Sequence, residues 1–438
     1  MKVLMFGWEF PPHISGGLGT ACFGLTKAMA KQDLEIIFVV PRAWGDEDQS
    51  SMHIVGANNV QVKVERYYFT PAEIEKSTDI QYVEIESALI PYVSTEEYYN
   101  IVNNKIEAKK QFKKHGYSKE LGTLEFKGGY GDSLLHEVAS YAYIAGQIAG
   151  QFDFDIIHAH DWLTYDAGIA AKNASGKPLV VHVHATEFDR SGQNVNQYVY
   201  DIERRGMHAA DRVITVSNLT KNIAINHYGV PAEKITTVYN GVEAIDNKKQ
   251  TVFEKKIGDK IVTFLGRITY QKGPEYFLEA AAKVLQRKKN VKFVMAGSGD
   301  MLEKMMWRAA ELGISKNFYF TGFLRGDDVI HMLSISDVYV MPSVSEPFGI
   351  SPLEAMRSNV PVIISKQSGV SEILQHAIKV DFWDVDAMAD AIYGIISYDG
   401  LQEVFQEHGK AEVDTMNWDG AAAQIKDIYS ETIDSSKN

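Results

Sequence analysis

Several protein classes are set aside by what this sequence lacks. It has one cysteine, Cys22, in 438 residues. No intrachain disulfide can form, and the expected compartment is a reducing cytosol, hence a cytoplasmic protein. Lysine and arginine number 44 against 57 aspartates and glutamates, for a formal net charge of −13. Binders of nucleic acid or anionic membrane are more often basic, so neither partner is expected, and positive charge that meets a phosphate must be local. No apolar run approaches the length of a membrane span, so no integral membrane association is expected. The opening Met1-Lys-Val-Leu-Met-Phe-Gly-Trp8-Glu9 is too short and too soon interrupted for a signal peptide. There is no short-period repeat and no low-complexity segment.

A regular Gly-x-Gly-x-x-Gly fingerprint is also missing. After a first strand, Lys2 to Phe6, comes Ser15-Gly16-Gly17-Leu18-Gly19, and strand two, Glu35 to Val40, ends in Pro41-Arg42 rather than an acid. Both features count against a nicotinamide cofactor. Paired glycines before a helix, here expected from about Thr20, still let backbone N–H groups approach a phosphate closely. A tight turn is the plainer reading of these glycines taken alone.

What is present is ordinary for a globular protein: 45% hydrophobic and 23% charged residues, in a chain long enough for two or three domains. Strands and helices alternate through both halves, the pattern of α/β domains. In the first half, Asp155-Ile-Ile-His158-Ala-His160-Asp161 and Pro178-Leu-Val-Val-His182-Val-His184 read as strands, with an amphipathic helix from Leu134 to about Ile148 before them. Residues 246–258 read as a linker. A second series runs through Ile261 to Gly266, Val291 to Gly297, Phe318 to Gly322, Asp337 to Met341 and Val360 to Ser365, and a last helix spans Gly420 to about Ile433. Residues from Val60 to about Tyr130 are mixed and read as a peripheral insertion.

The stretch from Met341 to Met356 organises the rest. A buried strand leads into a loop with Glu346-Pro347-Phe348-Gly349-Ile350, and a helix follows through Leu353-Glu354-Ala355-Met356. Pro347 disfavours helical geometry at Glu346, so Glu346 belongs on the loop at a strand's carboxyl end, where open α/β sheets bind ligands. A solvated loop glutamate is the commoner fate of such a residue. Ser351-Pro-Leu-Glu354 is also a capping box with proline at the first helical position, which gives Glu354 a structural reading beside a functional one. Arg267 and Lys272 follow directly on the strand ending at Gly266. Solvated charges are the plain reading of that pair, but paired cations at a strand mouth suit a departing diphosphate. The two histidine pairs alternate as a strand does, so each lies on one face. Few carboxylates stand near them, so no metal site is expected. His158 and His182 read as satisfied buried imidazoles, and His184, at the strand mouth, as the functional one. Asp153-Phe-Asp155 and Asp384-Val-Asp386 read as surface acids.

Together, Ser15-Gly16-Gly17-Leu18, His160-Asp161-Trp162, His184, Asn240-Gly241, Arg267…Lys272, Gly297-Ser-Gly299 and Glu346-Pro-Phe-Gly…Glu354 resemble, in order, the motifs of retaining group 1 glycosyltransferases, the glycogen and starch synthase-like branch with the GT-B fold. The likeness covers nearly the whole chain except about 60–127. It implies two Rossmann-like domains facing each other across a cleft. Residues 1–245 would form the acceptor-side domain, 246–415 the nucleotide-sugar domain, and 416–438 a helix returning to the first. It implies transfer of glucose from UDP-glucose or ADP-glucose to an α-1,4-glucan without a metal or other cofactor. Arg267 and Lys272 would hold the diphosphate, Glu346 the donor sugar and Glu354 the ribose. Phe323 would lie at the base, and His184 near the reacting centre. Gly17, Asn240, Gly297, Phe348, Gly349 and Ile350 would complete the donor site, with His160 and Asp161 on the acceptor side.

The chain departs from the bacterial ADP-glucose enzymes. Ile14 stands at their lysine, Phe348 at their cysteine, and Ser368-Gly369 at their Gly-Gly, while Glu354, often absent there, is present. UDP-glucose is therefore at least an equal candidate. Other readings are a relative using GDP-mannose or another donor or acceptor, a sugar-nucleotide epimerase of the same fold, and a non-catalytic nucleotide-sugar sensor. For the chemistry, the expectation is same-face attack, with the departing phosphate taking the acceptor's proton.

Overall fold

The computed structural model describes residues 1–13, 16–67, 117–124, 126–128, 134–243 and 258–437. Their strands are β1 (Lys2–Phe6), β2 (Glu35–Val40), β3 (His53–Gly56), β4 (Val62–Tyr67), β5 (Tyr117–Gly122), β6 (Ile156–His160), β7 (Leu179–Val183), β8 (Arg212–Thr215), β9 (Ile235–Thr237), β10 (Lys260–Leu265), β11 (Val291–Ala296), β12 (Phe318–Gly322), β13 (Val338–Met341), β14 (Val362–Ser365) and β15 (Ile378–Val380). One parallel sheet has the order β3-β2-β1-β6-β7-β8-β9 and a second β12-β11-β10-β13-β14-β15. Each runs outward from its first strand and then returns to that strand's other flank. Each therefore has one switch point, between β1 and β6 and between β10 and β13, where doubly wound sheets open a crevice for ligands. The architecture is α/β, GT-B.

The central strands are continuous apolar runs because both faces are covered. Over one face of the first sheet lie Tyr141 and Ile144 of the helix Leu134–Ala149, with Leu163 and Tyr165 of Trp162–Ser175. The other face carries Cys22, Leu25 and Met29 of Gly17–Ala30, with Ile425 and Tyr429 of Trp418–Ser435. In the second sheet Phe277, Leu278 and Ala281 of Pro274–Arg287 pack with Ile392 and Ile395. Leu353 and Met356 of the helix Ser351–Arg357 cover the opposite face.

The last helix crosses back to the first half of the chain. Trp418 lies against Gly24, where a Cβ would stand 2.2 Å from the indole Nε1, so glycine there permits the close approach. Lys31 Nζ reaches Asp419 at 3.1 Å, and Lys426 Nζ donates to the Gln32 carbonyl at 2.7 Å. Burial of Trp418, Ile425 and Tyr429 contributes about 1.5–3 kcal/mol each, which ties the tail firmly to the opening helix.

The expected strands appear within a residue or two of their predicted ends, and the first helix starts at Gly17 rather than near Thr20. Within the expected insertion, β4 and β5 pair antiparallel, from Val62↔Gly122 to Tyr67↔Tyr117. The rest of that insertion, Ile14 and Ser15, and nearly all of the 246–258 linker with the expected boundary at 245/246 lie outside the described residues.

Candidate active site

The carboxyl ends of β10, β11 and β13 are stitched together through glycines. A Cβ on Gly297 (φ +149°) would stand 1.8 Å from the Gly266 carbonyl oxygen, and one on Gly273 (φ +63°) 2.2 Å from that of Pro342. Only a residue without a side chain tolerates either the conformation or the contact. Across this seam the Val344 N–H donates to the Gln271 carbonyl at 2.9 Å. The Gln271 amide then serves both loops: its oxygen accepts from Arg267 at 3.1 Å, and its nitrogen donates to the Ser345 carbonyl at 3.1 Å.

Next to Ser345, Glu346 is only 6% exposed. Its Oε2 accepts from Lys272 Nζ at 2.5 Å and from the Ser343 hydroxyl at 3.0 Å. Its backbone bridges the following loop, through Glu346 N to Gln367 O and Gly369 N to Glu346 O, both 2.9 Å. Glu346 is therefore no solvated loop acid. A carboxylate is buried at low cost only when paired and hydrogen-bonded, and here it is both. Arg267 extends from the same mouth with its side chain exposed. Gly349 has φ +101°, with its missing Cβ 3.0 Å from the Met341 methyl.

The capping-box reading of Glu354 does not hold. Ile350 is the residue flanking the helix; its φ/ψ of −77°/−35° is already helical, and no side chain caps the N-terminus. Glu354 is partly buried, without a hydrogen-bond partner for its carboxylate among the described residues, and desolvation pushes that carboxyl above its usual range. It is free for another role.

From the first half, the helix Gly17–Ala30 presents an uncapped N-terminus. Gly16 is extended and carries no side chain to cap the first turn, and among the described residues nothing fills the space beside Gly16 and Gly17. Free N–H groups there form an anion site. Ile350 packs on the apolar cluster beneath this helix, alongside Leu18, and also on the cluster behind β13. Ile350, on the Glu346 loop, thus bridges an apolar cluster of each half.

His184 sits at the mouth of β7, partly buried, with Nε2 2.9 Å from His160 Nδ1. Burial lowers its pKa to about 3, so it is a neutral imidazole at physiological pH. Its loop is set by Asp161, whose Oδ1 accepts from the His184 and Ala185 N–H groups at 2.7 and 3.2 Å. Asp161 has φ +60°, a strained position for a residue with a side chain. Burial raises its carboxyl to about 7 against the pull of Arg190, 4.0 Å away. Arg190 in turn holds Glu203 at 2.9 Å and Glu187 at 3.4 Å. His160 and Asp161, the expected acceptor-side residues, are both buried, His160 beside the His184 imidazole and Asp161 under its loop.

The four histidines form a two-by-two ladder on one sheet face. His158 Nδ1 meets the Tyr429 hydroxyl at 2.5 Å, but both nitrogens of His182 and the Nε2 atoms of His158 and His160 are buried without partners. The satisfied-imidazole reading therefore fails for His182 and half-fails for His158. Donor atoms of His158, His160 and His182, and of Cys22, His160 and His184, come within 4.8 Å of one another. The His158 and His182 rings are stacked at 7°, and the pairs with His160 are tilted at 31–32°.

Two family models match the chain: "Glycosyl transferases group 1" over residues 246–412 and "Glycosyltransferase Family 4" over residues 128–244. Both matches are to glycosyltransferase models, and they support placing the chain in the group 1 glycosyltransferase superfamily. An uncharacterized glycosyltransferase of Methanocaldococcus jannaschii, MJ1607, is 28% identical, with 98% of each chain covered. The glycogen synthase of Mycobacterium tuberculosis is 23% identical over 90% of this chain and 86% of its own. Among solved structures, the sucrose-phosphate synthase of Thermosynechococcus elongatus superposes with a TM-score of 0.67 at 15% identity, covering 99% of both chains. Anabaena HepE, in complex with UDP and glucose, does so at 0.63 and 16%, covering 98% of this chain and all of its own. No helix among the described residues is long and apolar enough to cross a membrane.

Gly297 lines the seam itself, and Phe323 follows the edge strand β12, half exposed at 49% with the Arg325 guanidinium 5.2 Å from its ring. Phe348 is a core residue: its ring is buried and lies 6.3 Å from that of Tyr239, so only its backbone can serve a donor. Asn240 is buried at the crossover, where Gly241 packs against Asn417 and Val242 N donates to the Met416 carbonyl at 3.0 Å. Gln271, Ser345, Asp189, Arg190 and Glu203 were missed from the sequence. Only Thr186-x-x-Asp189 carried a local signal, as a capping box that does form.

Proposed function

We propose that this glycosyltransferase moves glucose from UDP-glucose or ADP-glucose to an α-1,4-glucan with retention of configuration, as a glycogen synthase-like enzyme. The observation that carries the reading is the Lys272–Glu346 pair, laced through Gln271 to Arg267 and placed at the β10/β13 switch point. In this reading Arg267, Lys272 and the open N-terminus at Gly17 receive the diphosphate, Glu346 grips the sugar hydroxyls, and Glu354 takes the ribose. Neutral His184 donates or accepts a hydrogen bond at the sugar. The broad coverage of the mycobacterial glycogen synthase favours a glucan acceptor. UDP and glucose in the HepE structure favour UDP-glucose among the donors.

Glu346 already carries its counter-charge in Lys272, which makes it a poor nucleophile. That favours same-face attack, with the departing phosphate taking the acceptor's proton, over a covalent glycosyl–enzyme step. Preorganised cations aimed at the leaving group act where its charge develops, and closure of the halves excludes water. The test is incubation with UDP-, ADP- and GDP-sugars, with and without glycogen. Nucleotide release that requires glycogen supports transfer. Donor conversion without acceptor indicates an epimerase, and binding without turnover a sensor.

A further inference from the structure

Side-chain hydrogen bonds cross between the two halves at two places. Glu372 accepts from the Asn218 and Leu219 N–H groups and the Tyr239 hydroxyl, and the Thr220 hydroxyl reaches the Pro347 carbonyl, while Asp189 and Ser345 bond beside the proposed reaction centre. Asp189, 1% exposed, belongs to the short helix Glu187–Ser191 that follows the His184 loop. Its Oδ2 closes a capping box, accepting from the Thr186 N–H at 2.8 Å and the Thr186 hydroxyl at 2.7 Å. That motif needs only one carboxylate oxygen. The other, Oδ1, accepts from the Ser345 hydroxyl across the cleft at 2.6 Å.

Both ends of this bond are anchored in the machinery. On one side Thr186 adjoins His184 and Ala185, whose N–H groups bind Asp161. On the other, Ser345 precedes Glu346, and its carbonyl accepts from Gln271, which holds Arg267. The short helix also abuts the 270–272 turn, where a Cβ on Gly192 would stand 3.9 Å from the Tyr270 ring.

We infer that Asp189 and Ser345 form a latch that fixes the separation between His184 and Glu346 when the halves close, and so act as positioning residues for transfer. The inference rests on the glycosyltransferase reading of the cleft. A hydroxyl–carboxylate bond suits a contact that must break and re-form in each cycle. On opening, water replaces each partner, so release costs far less than parting a buried ion pair, while the bond remains directional enough to set a distance. A misplacement of about 1 Å at such a site lowers turnover by up to roughly 10²-fold.

The test uses the full chain with Ser345→Ala, Ser345→Thr, Asp189→Ala and the Ala/Ala double variant. Ser345 is the decisive position because it takes no part in the capping box. With UDP-glucose and glycogen, Ser345→Ala should lower kcat roughly 10- to 100-fold, with a smaller change in the KM for UDP-glucose and an unchanged melting temperature. Ser345→Thr, which keeps the hydroxyl, should recover most of the loss, and the double variant should be no worse than Asp189→Ala. Wild-type kcat in Ser345→Ala, no rescue by threonine, or multiplied losses in the double variant would each overturn the latch. X-ray scattering of the ligand-free proteins gives a second readout, independent of donor. The latch is formed without ligand, but Glu372 also ties the halves, so the comparison is made in a Glu372→Ala background: adding Ser345→Ala should give a more extended protein than Glu372→Ala alone, and identical scattering would overturn the latch. A wild type that transfers nothing from UDP-, ADP- or GDP-glucose, with Glu372→Ala still more compact than Glu372→Ala/Ser345→Ala, would refute the activity while leaving the latch in place.

Discussion

Lys272→Ala should expose the most unusual energetics of the site. The Lys272 side chain is 22% exposed and that of Glu346 8%, so the substitution leaves a nearly dry carboxylate with only the Ser343 hydroxyl on its Oε2. Breaking a buried ion pair by removing one partner costs about 3–5 kcal/mol, mostly because the remaining charge is uncompensated. The partial exposure of Lys272 places this case near the lower end, about 3 kcal/mol. Adding Glu346→Gln removes the stranded charge and keeps an acceptor for Ser343, so the double variant should regain about 2 kcal/mol. At about 2.1 cal/mol/K per residue, over a chain of 438 residues, that corresponds to roughly 2 °C in melting temperature, read by differential scanning fluorimetry. Activity should move differently. Each single variant should lose roughly 10²-fold or more in acceptor-dependent nucleotide release, and the double variant should stay as inactive as the worse of the two. A double variant less stable than Lys272→Ala, or a single variant within twofold of wild-type turnover, would refute the coupling.

Gly297→Ala should be sharply destabilising, by about 3 kcal/mol or more, because its Cβ meets the Gly266 carbonyl at 1.8 Å in a backbone conformation that disfavours any side chain; chemical denaturation checks this, and a loss under 1 kcal/mol would contradict the seam. Arg267→Ala, whose exposed guanidinium bonds only Gln271 in the described structure, should leave the melting temperature within about 1 °C while lowering turnover roughly 10²-fold. His182→Leu should stabilise the protein by about 1 kcal/mol or more at pH 7 by removing two buried unpartnered nitrogens. Burial holds the His182 pKa well below its usual value, so below about pH 6.5 the unfolded chain takes up a proton that the folded chain refuses. Wild-type stability therefore falls as pH drops through that window, and the advantage of leucine should grow by up to about 1.4 kcal/mol per pH unit; melting curves from pH 7 to 5 that stay parallel would contradict it.

The strands were legible because each is a local apolar run bounded by breakers, and the doubly wound order follows once strands alternate with helices. The mouth residues were legible because glycines, a proline and charges stand directly after those runs. What escaped was tertiary. Ser351-x-x-Glu354 has the right spacing for a capping box, but Ile350 is already helical, so Ser351 falls inside the helix where it cannot cap. The period of two put four histidines on one face, yet it carried no information on the helices Gly17–Ala30 and Trp418–Ser435 that bury them. Ser345, Gln271 and Asp189 look like ordinary loop polar residues, and only the meeting of distant segments gives them partners.

The central claim is that the mouth shared by Arg267, Lys272, Glu346 and the Gly17 helix passes a hexose from a nucleotide sugar to a glucan with its α configuration kept. The most direct measurement is incorporation of radiolabelled glucose from UDP-glucose, and in parallel ADP-glucose, into glycogen, followed by digestion with an α-1,4-specific amylase. The account predicts label in the polymer for at least one donor, its release by the amylase, and loss of incorporation in Lys272→Ala. Label that enters no glucan from either donor, or enters it in a linkage the amylase cannot cut, would contradict the account.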